Sequence, residues 1–107
     1  MRPCALLLLF PLVCQAEASP SEPVQEGTLA NQQLIRDAMV GVASWVATKG
    51  CDAPERFVPV VLQLPEGEPG SRHWQERWTV TGCDNVYPVV IDFRETGMQS
   101  AMWTIAR

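Results

Sequence analysis

Residues 73–93 decide the fold, because they contain two alternating runs joined by a short turn: HWQERWTVTG and then CDNVYPVVIDF. The first run has the period of two that is typical of a half-buried strand. Its solvent face is His73, Gln75, Arg77, Thr79 and Thr81, and its core face is Trp74, Glu76, Trp78 and Val80. A turn at residues 82–85 allows three pairings that keep one face apolar: Val80 with Tyr87, Trp78 with Val89 and Trp74 with Phe93. The stretch therefore predicts an antiparallel hairpin of defined register.

Further strand patterns flank this hairpin. Before it, alternate aliphatic residues point one way and stop at the loop over residues 65–70; they are Val58, Val60, Leu62 and Leu64. After it, a loop over residues 94–98 leads into a last strand whose predicted partners keep the core face apolar: Ile91 with Ala101, Val89 with Trp103 and Tyr87 with Ile105. The result is a four-stranded antiparallel meander, in which Pro88 requires a bulge or an edge position.

An amphipathic helix precedes these strands. Apolar residues recur at spacings of three and four from Leu34 to Val46, with Thr28 as a candidate N-cap and Lys49 near the end. The pattern predicts a helix over residues 28–49. Gly41 in its interior costs about 1 kcal/mol relative to Ala, which indicates close packing there or a locally weak helix. We expect one α+β domain over residues 28–107, with the helix packed on the sheet.

The amino terminus has the layout of a secretory signal peptide. Arg2 provides a positive charge, residues 4–14 are mostly apolar, and Ala16 and Ala18 suit cleavage after Ala18, with cleavage after Ala16 as the alternative. The apolar stretch is too short for a membrane span. We expect a signal peptide over residues 1–18, a flexible leader over residues 19–27, and export to the periplasm or the extracellular medium.

Cleavage would leave two cysteines, Cys51 and Cys83, for which a disulfide is the default in an oxidising compartment. A zinc site made of these cysteines with His73 and Asp84 lacks the usual C-x-x-C or H-x-x-x-H spacing. The sequence predicts no metal and no cofactor.

Four acids are the candidates for acid–base chemistry: Asp84, Asp92, Glu95 and Glu76. Asp84 and Glu95 are expected in hairpin turns, where acids are common, and Asp92 is expected to face solvent near Ser100. Glu76 lies between two tryptophans on the core face. There, Arg94 or Lys49 would neutralise it, or it would lie at the sheet margin.

Three surface features bear on what the protein binds: its net charge, its tryptophans and the back of the sheet. A net charge of −4 without a cluster of basic residues argues against a nucleic-acid partner. Four tryptophans would supply core mass or, alternatively, a platform for stacking on carbohydrate. On the back of the sheet, Val61, Val90 and Met102 form an expected apolar stripe beside Arg77, which is a possible partner surface.

The sequence pattern Trp78-x-Val80-x-x-Cys83, followed by Tyr87-x-Val89-x-x-x-Phe93, resembles one found near the carboxyl ends of small uncharacterised secreted proteins of proteobacteria. The resemblance covers about twenty residues and implies an exported or envelope protein, with no established activity to transfer. The sequence predicts a binding module for a protein or cell-envelope component, not a catalyst. The alternative is a cell-wall hydrolase or an inhibitor of such a hydrolase.

Overall fold

The computed structural model describes residues 22–106 as one helix packed on a five-stranded antiparallel sheet. The elements are β1 (Gln25–Glu26), α1 (Gln32–Thr48), β2 (Pro54–Glu66), β3 (His73–Gly82), β4 (Asn85–Glu95) and β5 (Ala101–Ile105). The strands lie side by side in chain order. The α+β class is confirmed. The predicted signal peptide over residues 1–18 lies outside the described residues, and within residues 22–106 no helix is long and apolar enough to cross a membrane.

The prediction of four strands is wrong, because β1 adds a fifth. Gln25–Glu26, which the sequence placed in the flexible leader, pairs with Val60 and Val61 of β2. The Gly27 N–H also donates to the Pro59 carbonyl at 3.0 Å. Backbone groups make these contacts, so the exposed side chains of Gln25 and Glu26 gave no indication of a strand.

Pro59 of β2 and Pro88 of β4 lie where no sheet hydrogen bond is lost. The Pro59 carbonyl faces β1, and a strand residue points its nitrogen and carbonyl to the same side, so the Pro59 nitrogen faces away from β3. On β4, the Val90 carbonyl accepts from Ala106 N–H at 2.8 Å. The nitrogen of Pro88, two residues earlier in β4, points to the same side as the Val90 carbonyl, at a position beyond the end of β5. The sequence required a bulge or an edge position; β4 is an internal strand, but the segment around Pro88 lies at a local edge because β5 does not reach it.

Helix α1 begins four residues later than predicted. Its N-cap is Asn31, whose side chain accepts from Leu34 N–H at 2.8 Å. The predicted cap, Thr28, lies in the crossing from β1 to the helix, and the next residue, Leu29, donates its N–H to Glu76. This tertiary hydrogen bond holds the segment in a non-helical conformation.

The core lies between α1 and the sheet. All three predicted pairings between β3 and β4 are present, and Trp74 stacks on Phe93 with ring centroids 5.0 Å apart. The buried residues from the helix are Leu34, Ala38, Val42 and Val46, and those from the sheet are Trp74, Trp78, Val80, Val89, Ile91 and Phe93. Gly41 faces the Trp103 ring so closely that an added Cβ would overlap it. Of the two alternatives that the sequence left open at Gly41, the structure shows close packing.

The register between β4 and β5 differs from the prediction. Ile91 pairs with Ile105 rather than Ala101, and Phe93 pairs with Trp103, so the loop lies at residues 96–100. The change moves the centre of the hairpin by two residues and leaves the same side chains on the core face. The alternation of polar and apolar residues therefore could not distinguish the two registers.

Candidate functional site

Within residues 22–106, no element covers the face of the sheet opposite α1, and strand pairing places a group of aliphatic residues on it. Arg77 lies directly between Val60 on β2 and Val90 on β4. In the next row, Thr79 lies between Val58 and Pro88. We call Val58, Val60, Arg77, Pro88 and Val90 the open-face patch. Val58 is 40% exposed, Pro88 is exposed, and the other three are half-buried.

The structure changes the membership of the predicted partner surface. Val61 is fully buried and lies opposite Glu76, so it belongs to the helix side of the sheet and not to the open face. The prediction assigned Val61 to the wrong face because residues 57–62 form a continuous apolar run, and such a run does not show which face is inward. Met102 is on the open face, but a polar row that includes Gln75 and Asp92 separates it from Val90. Arg77 and Val90 are the predicted residues that the fold brings together.

The polar end of the open face contains a cleft of about 280 Å³. Its polar lining includes Gln75, Asp92, Arg94 and Thr104 together with the histidine, His73. The Gln75 side-chain amide donates to Asp92 Oδ1 at 2.9 Å. The cleft thus offers hydrogen-bond donors and acceptors beside the open-face patch. Sequence reasoning placed most of these side chains on the solvent face but did not group them, because the grouping depends on the pairing of three strands.

Glu76 is a buried carboxylate held by three N–H donors. Its Oε1 accepts from Trp78 Nε1 at 2.8 Å, and its Oε2 accepts from Trp74 Nε1 at 2.8 Å and from Leu29 N–H at 2.9 Å. Its side chain is fully buried, so the predicted place at the sheet margin is wrong.

The cations predicted to neutralise Glu76 lie elsewhere. Arg94 is on the opposite face of the sheet, in the row of His73, and Lys49 lies over the Trp45 ring at 4.5 Å. Trp74 and Trp78 are 7% and 2% exposed, so these two rings belong to the core and do not form a carbohydrate platform. The hydrogen bonds to Glu76 satisfy the polar end of each indole.

Glu95 joins two loops at one end of the molecule. Its carboxylate accepts from Arg72 through both the side chain, at 2.7 Å, and the backbone, at 3.0 Å, and from Gly70 N–H at 2.9 Å. The hydrogen bonds from Arg72 lower the pKa of Glu95 to about 2. Glu95 was predicted in a hairpin turn; it is instead the last residue of β4, and its contacts extend that strand past the predicted loop start.

The four candidate acids occupy four separate places. Glu76 lies in the core, Asp92 on the open face, Glu95 between two loops, and Asp84 at the tip of a hairpin with φ 57°. Asp92 lies opposite Thr104 rather than near Ser100. Among the described residues, no group of three or more His, Cys, Asp or Glu side chains is placed to hold a metal ion.

Cys51 and Cys83 form the predicted disulfide, with their Cα atoms 5.8 Å apart. The bond joins the segment after α1 to the turn between β3 and β4. It is compatible with an oxidising, exported location.

Sequence reasoning missed an apolar groove of about 330 Å³ on the helix side of the sheet. Ile35 and Met39 of α1 form one wall, Phe57 and Pro59 of β2 form the other, and Trp78 also lines it. The groove exists because α1 packs closest to β5 and leaves the inner side of β2 partly uncovered. The position of the helix across the sheet is a tertiary property, so periodicity could not reveal it.

No protein-family model matches the chain, and no curated protein or solved structure matches it either.

Proposed function

We propose that this chain is a small exported binding module that recognises a protein or cell-envelope component through the open-face patch. The observation that carries the proposal is the aliphatic character of a sheet face that no other layer covers within residues 22–106. An antiparallel sheet with one solvated face normally places polar residues there. Here β-branched residues and a proline occupy two adjacent rows, and neighbouring Val86 is 61% exposed.

The chemistry of the patch is suited to a protein surface. Aliphatic residues flank a central Arg77 on both sides along the hydrogen-bonding direction. Arginine is enriched at the centres of protein interfaces, because its guanidinium donates several hydrogen bonds while its methylene groups pack against apolar neighbours. A partner that matches the patch would contribute an apolar surface that packs against these aliphatic side chains and the Arg77 methylene groups.

Export is the second part of the proposal. It is supported by the signal-peptide layout of residues 1–18 and by the disulfide between Cys51 and Cys83. The chain recovered from the periplasm or medium is expected to begin at Ser19. Intact-mass measurement tests this directly, and exported protein that retained Met1 would contradict the cleavage prediction.

The binding part is tested with lysine substitutions in the oxidised protein. Val90→Lys and Val60→Lys each place an ammonium group in the patch, and a desolvated, unpaired ammonium removes most of the affinity of an apolar contact. Val40→Lys is the matched control, since Val40 is 70% exposed on the helix and lies away from the patch. The measurement is recovery of partner from envelope extract after chemical cross-linking, with the thermal unfolding of each variant as the check on folding.

We expect the wild type and the Val40→Lys variant to recover the same partner and both patch variants to lose it. Recovery of that partner by folded Val90→Lys and Val60→Lys proteins at the wild-type level would refute the open-face patch as the binding surface. Loss with Val40→Lys as well would assign binding to another surface.

A further inference from the structure

Strand β5 forms one edge of the sheet, and its backbone groups on that side have no partner in the described part of the chain. The Ala106 N–H and the Ser100 carbonyl both point toward β4, where they bond Val90 and Thr96. Because the backbone N–H and C=O groups of successive strand residues point to opposite sides, those of the residues between Ser100 and Ala106 that do not face β4 point away from the sheet. These residues are Ala101, Trp103 and Ile105.

The two edges of the sheet differ in how they are protected. At the β2 edge, β1 pairs with Val60 and Val61, and the uncovered ends of the strand include Pro54, Glu55 and Arg56 before it and Pro65 and Glu66 after it. Short covering strands, prolines and charged residues are the usual devices that prevent one sheet from pairing with another. Strand β5 reads AMWTI and contains neither a proline nor a charged residue. It therefore remains open to another strand.

We propose that β5 pairs antiparallel with β5 of a second copy of this chain, about a two-fold axis at Trp103. The outward residues are spaced symmetrically about the middle of the five-residue strand. Ala101 then faces Ile105 of the second copy, Ile105 faces Ala101 of the second copy, and the two Trp103 residues face each other. Each facing pair exchanges both of its backbone hydrogen bonds, so every outward N–H and C=O of the strand is satisfied.

The side chains beside the axis are compatible with this pairing. On the open face, Met102 lies across from Thr104 of the second copy, in the closer type of antiparallel pair. Met102 is 50% exposed in the single chain, and the pairing removes part of that apolar area from water. On the helix side, the half-buried residues Ala101, Trp103 and Ile105 gain cover from their counterparts. The axis is perpendicular to the sheet, so both helices lie on the same side of one continuous ten-stranded sheet.

This self-pairing goes beyond the proposed function. The open-face patch lies on β2, β3 and β4, whereas the new contact uses the outer edge of β5. A dimer would therefore present two patches on the same surface of the joined sheet. Loss of the dimer and loss of the partner are separate measurements made with separate variants.

The test uses charge at the two exposed positions that meet across the axis. In the double variant Met102→Lys with Thr104→Lys, each lysine faces a lysine of the second copy, twice per dimer. In the matched variant Met102→Lys with Thr104→Glu, each lysine faces a glutamate instead. Both side chains are exposed in the single chain, so neither variant disturbs the core, and thermal unfolding checks this. The measurement is molar mass by sedimentation equilibrium from micromolar to millimolar protein.

We expect the wild type to associate to twice the monomer mass. The lysine–lysine variant should have a dimer dissociation constant raised roughly tenfold, because two like-charged pairs meet directly across the strands. The lysine–glutamate variant should dimerise at least as well as the wild type. A wild type that stays monomeric at millimolar concentration, or equal dissociation constants for the two charged variants, would overturn the proposal.

The register has its own test. The double variant Met102→Cys with Thr104→Cys should form a covalent dimer on mild oxidation, since each new cysteine lies opposite one of the other kind. Either single variant should form markedly less covalent dimer, because its cysteines are diagonal to each other across the axis. Covalent dimer formation by the single variants at the rate of the double variant would refute a two-fold axis at Trp103.

Discussion

The hydrogen bonds to Glu76 make a strong prediction about stability. In a Glu76→Gln variant, one carboxylate oxygen becomes an amide NH₂ group, which donates rather than accepts. In the better of its two orientations, the remaining oxygen keeps Trp74 and Leu29, and the amide then faces Trp78 Nε1. Two donors would then meet where the structure has a hydrogen bond of 2.8 Å.

The magnitude follows from these three contacts. Two charge-assisted hydrogen bonds become neutral, at a loss of about 1 kcal/mol each, and the Trp78 N–H loses its acceptor at a cost of about 1 to 3 kcal/mol. A neutral amide is easier to bury than a carboxylate, which returns part of this loss. The expected net destabilisation is about 2 to 4 kcal/mol. This is a large share of the total, since a domain of this size is stable by about 5 to 10 kcal/mol.

Urea unfolding followed by tryptophan fluorescence measures this change, and the indole N–H signals of Trp74 and Trp78 report on the site in NMR spectra. Glu55→Gln is the matched control, because Glu55 is an exposed acid on β2; it should change the unfolding free energy by less than about 0.5 kcal/mol. A Glu76→Gln variant as stable as the control, with unchanged indole N–H signals, would refute the structural role assigned to Glu76.

Three further results are expected. Gly41→Ala should destabilise the protein by about 1 to 3 kcal/mol, although alanine has the better helix propensity, because the added methyl group overlaps the Trp103 ring. Urea unfolding measures this change, with Ser44→Ala as the control. A Gly41→Ala protein more stable than the wild type would contradict the packing. Replacing Cys51 and Cys83 together by Ala should lower stability by about 4 kcal/mol in the chain-entropy treatment, given a sequence separation of 32 residues. Alkylation of Cys51 and Cys83 in the unreduced, unfolded wild type, located by peptide mass, would refute the disulfide. The pKa of Glu95 is lowered to about 2 in the folded state, so its carboxylate stabilises the fold fully above its unfolded pKa near 4.5, and this stabilisation is lost as pH falls from about 4.5 through 2. In an acid titration, the free energy of unfolding of the Glu95→Gln variant should fall less over that window than that of the wild type. Identical profiles would contradict the Arg72 contact.

The hairpin of β3 and β4 was predictable because its faces differ strongly in polarity. A shift of one residue would expose Trp74 and Trp78, so the hydrophobic pattern excludes it, and the short turn at residues 82–85 keeps the pairing from moving further. The disulfide was predictable for a different reason, since residues 1–18 indicate export and only two cysteines follow them. Gly41 indicated either close packing or a locally weak helix, because glycine destabilises a helix relative to alanine. The position of the Trp103 ring decides for close packing.

The β4–β5 register, the face of Val61 and the partners of Glu76 depended on the tertiary structure. The pairing of β4 with β5 differs from the prediction by four residues, and a shift by an even number leaves polarity unchanged. A continuous apolar run has no intrinsic inward face, so neighbouring strands decide both features. The sequence placed Glu76 among tryptophans but indicated a cation as its partner, whereas the fold supplies N–H groups from two indoles and from residue 29. Strand β1 and the open edge of β5 are likewise products of backbone hydrogen bonding, which side-chain patterns do not encode.

The sequence by itself determined the α+β class, the location of the helix, the β3–β4 pairing and the cysteine pair, because each follows from local periodicity or composition. Only the tertiary structure decided which residues share the open face and which backbone groups remain unpaired. The physical reason is that an apolar surface can be buried in more than one register at similar free energy. Directional hydrogen bonds, such as those of Glu76 and Glu95, must all be satisfied at once, and they select one arrangement.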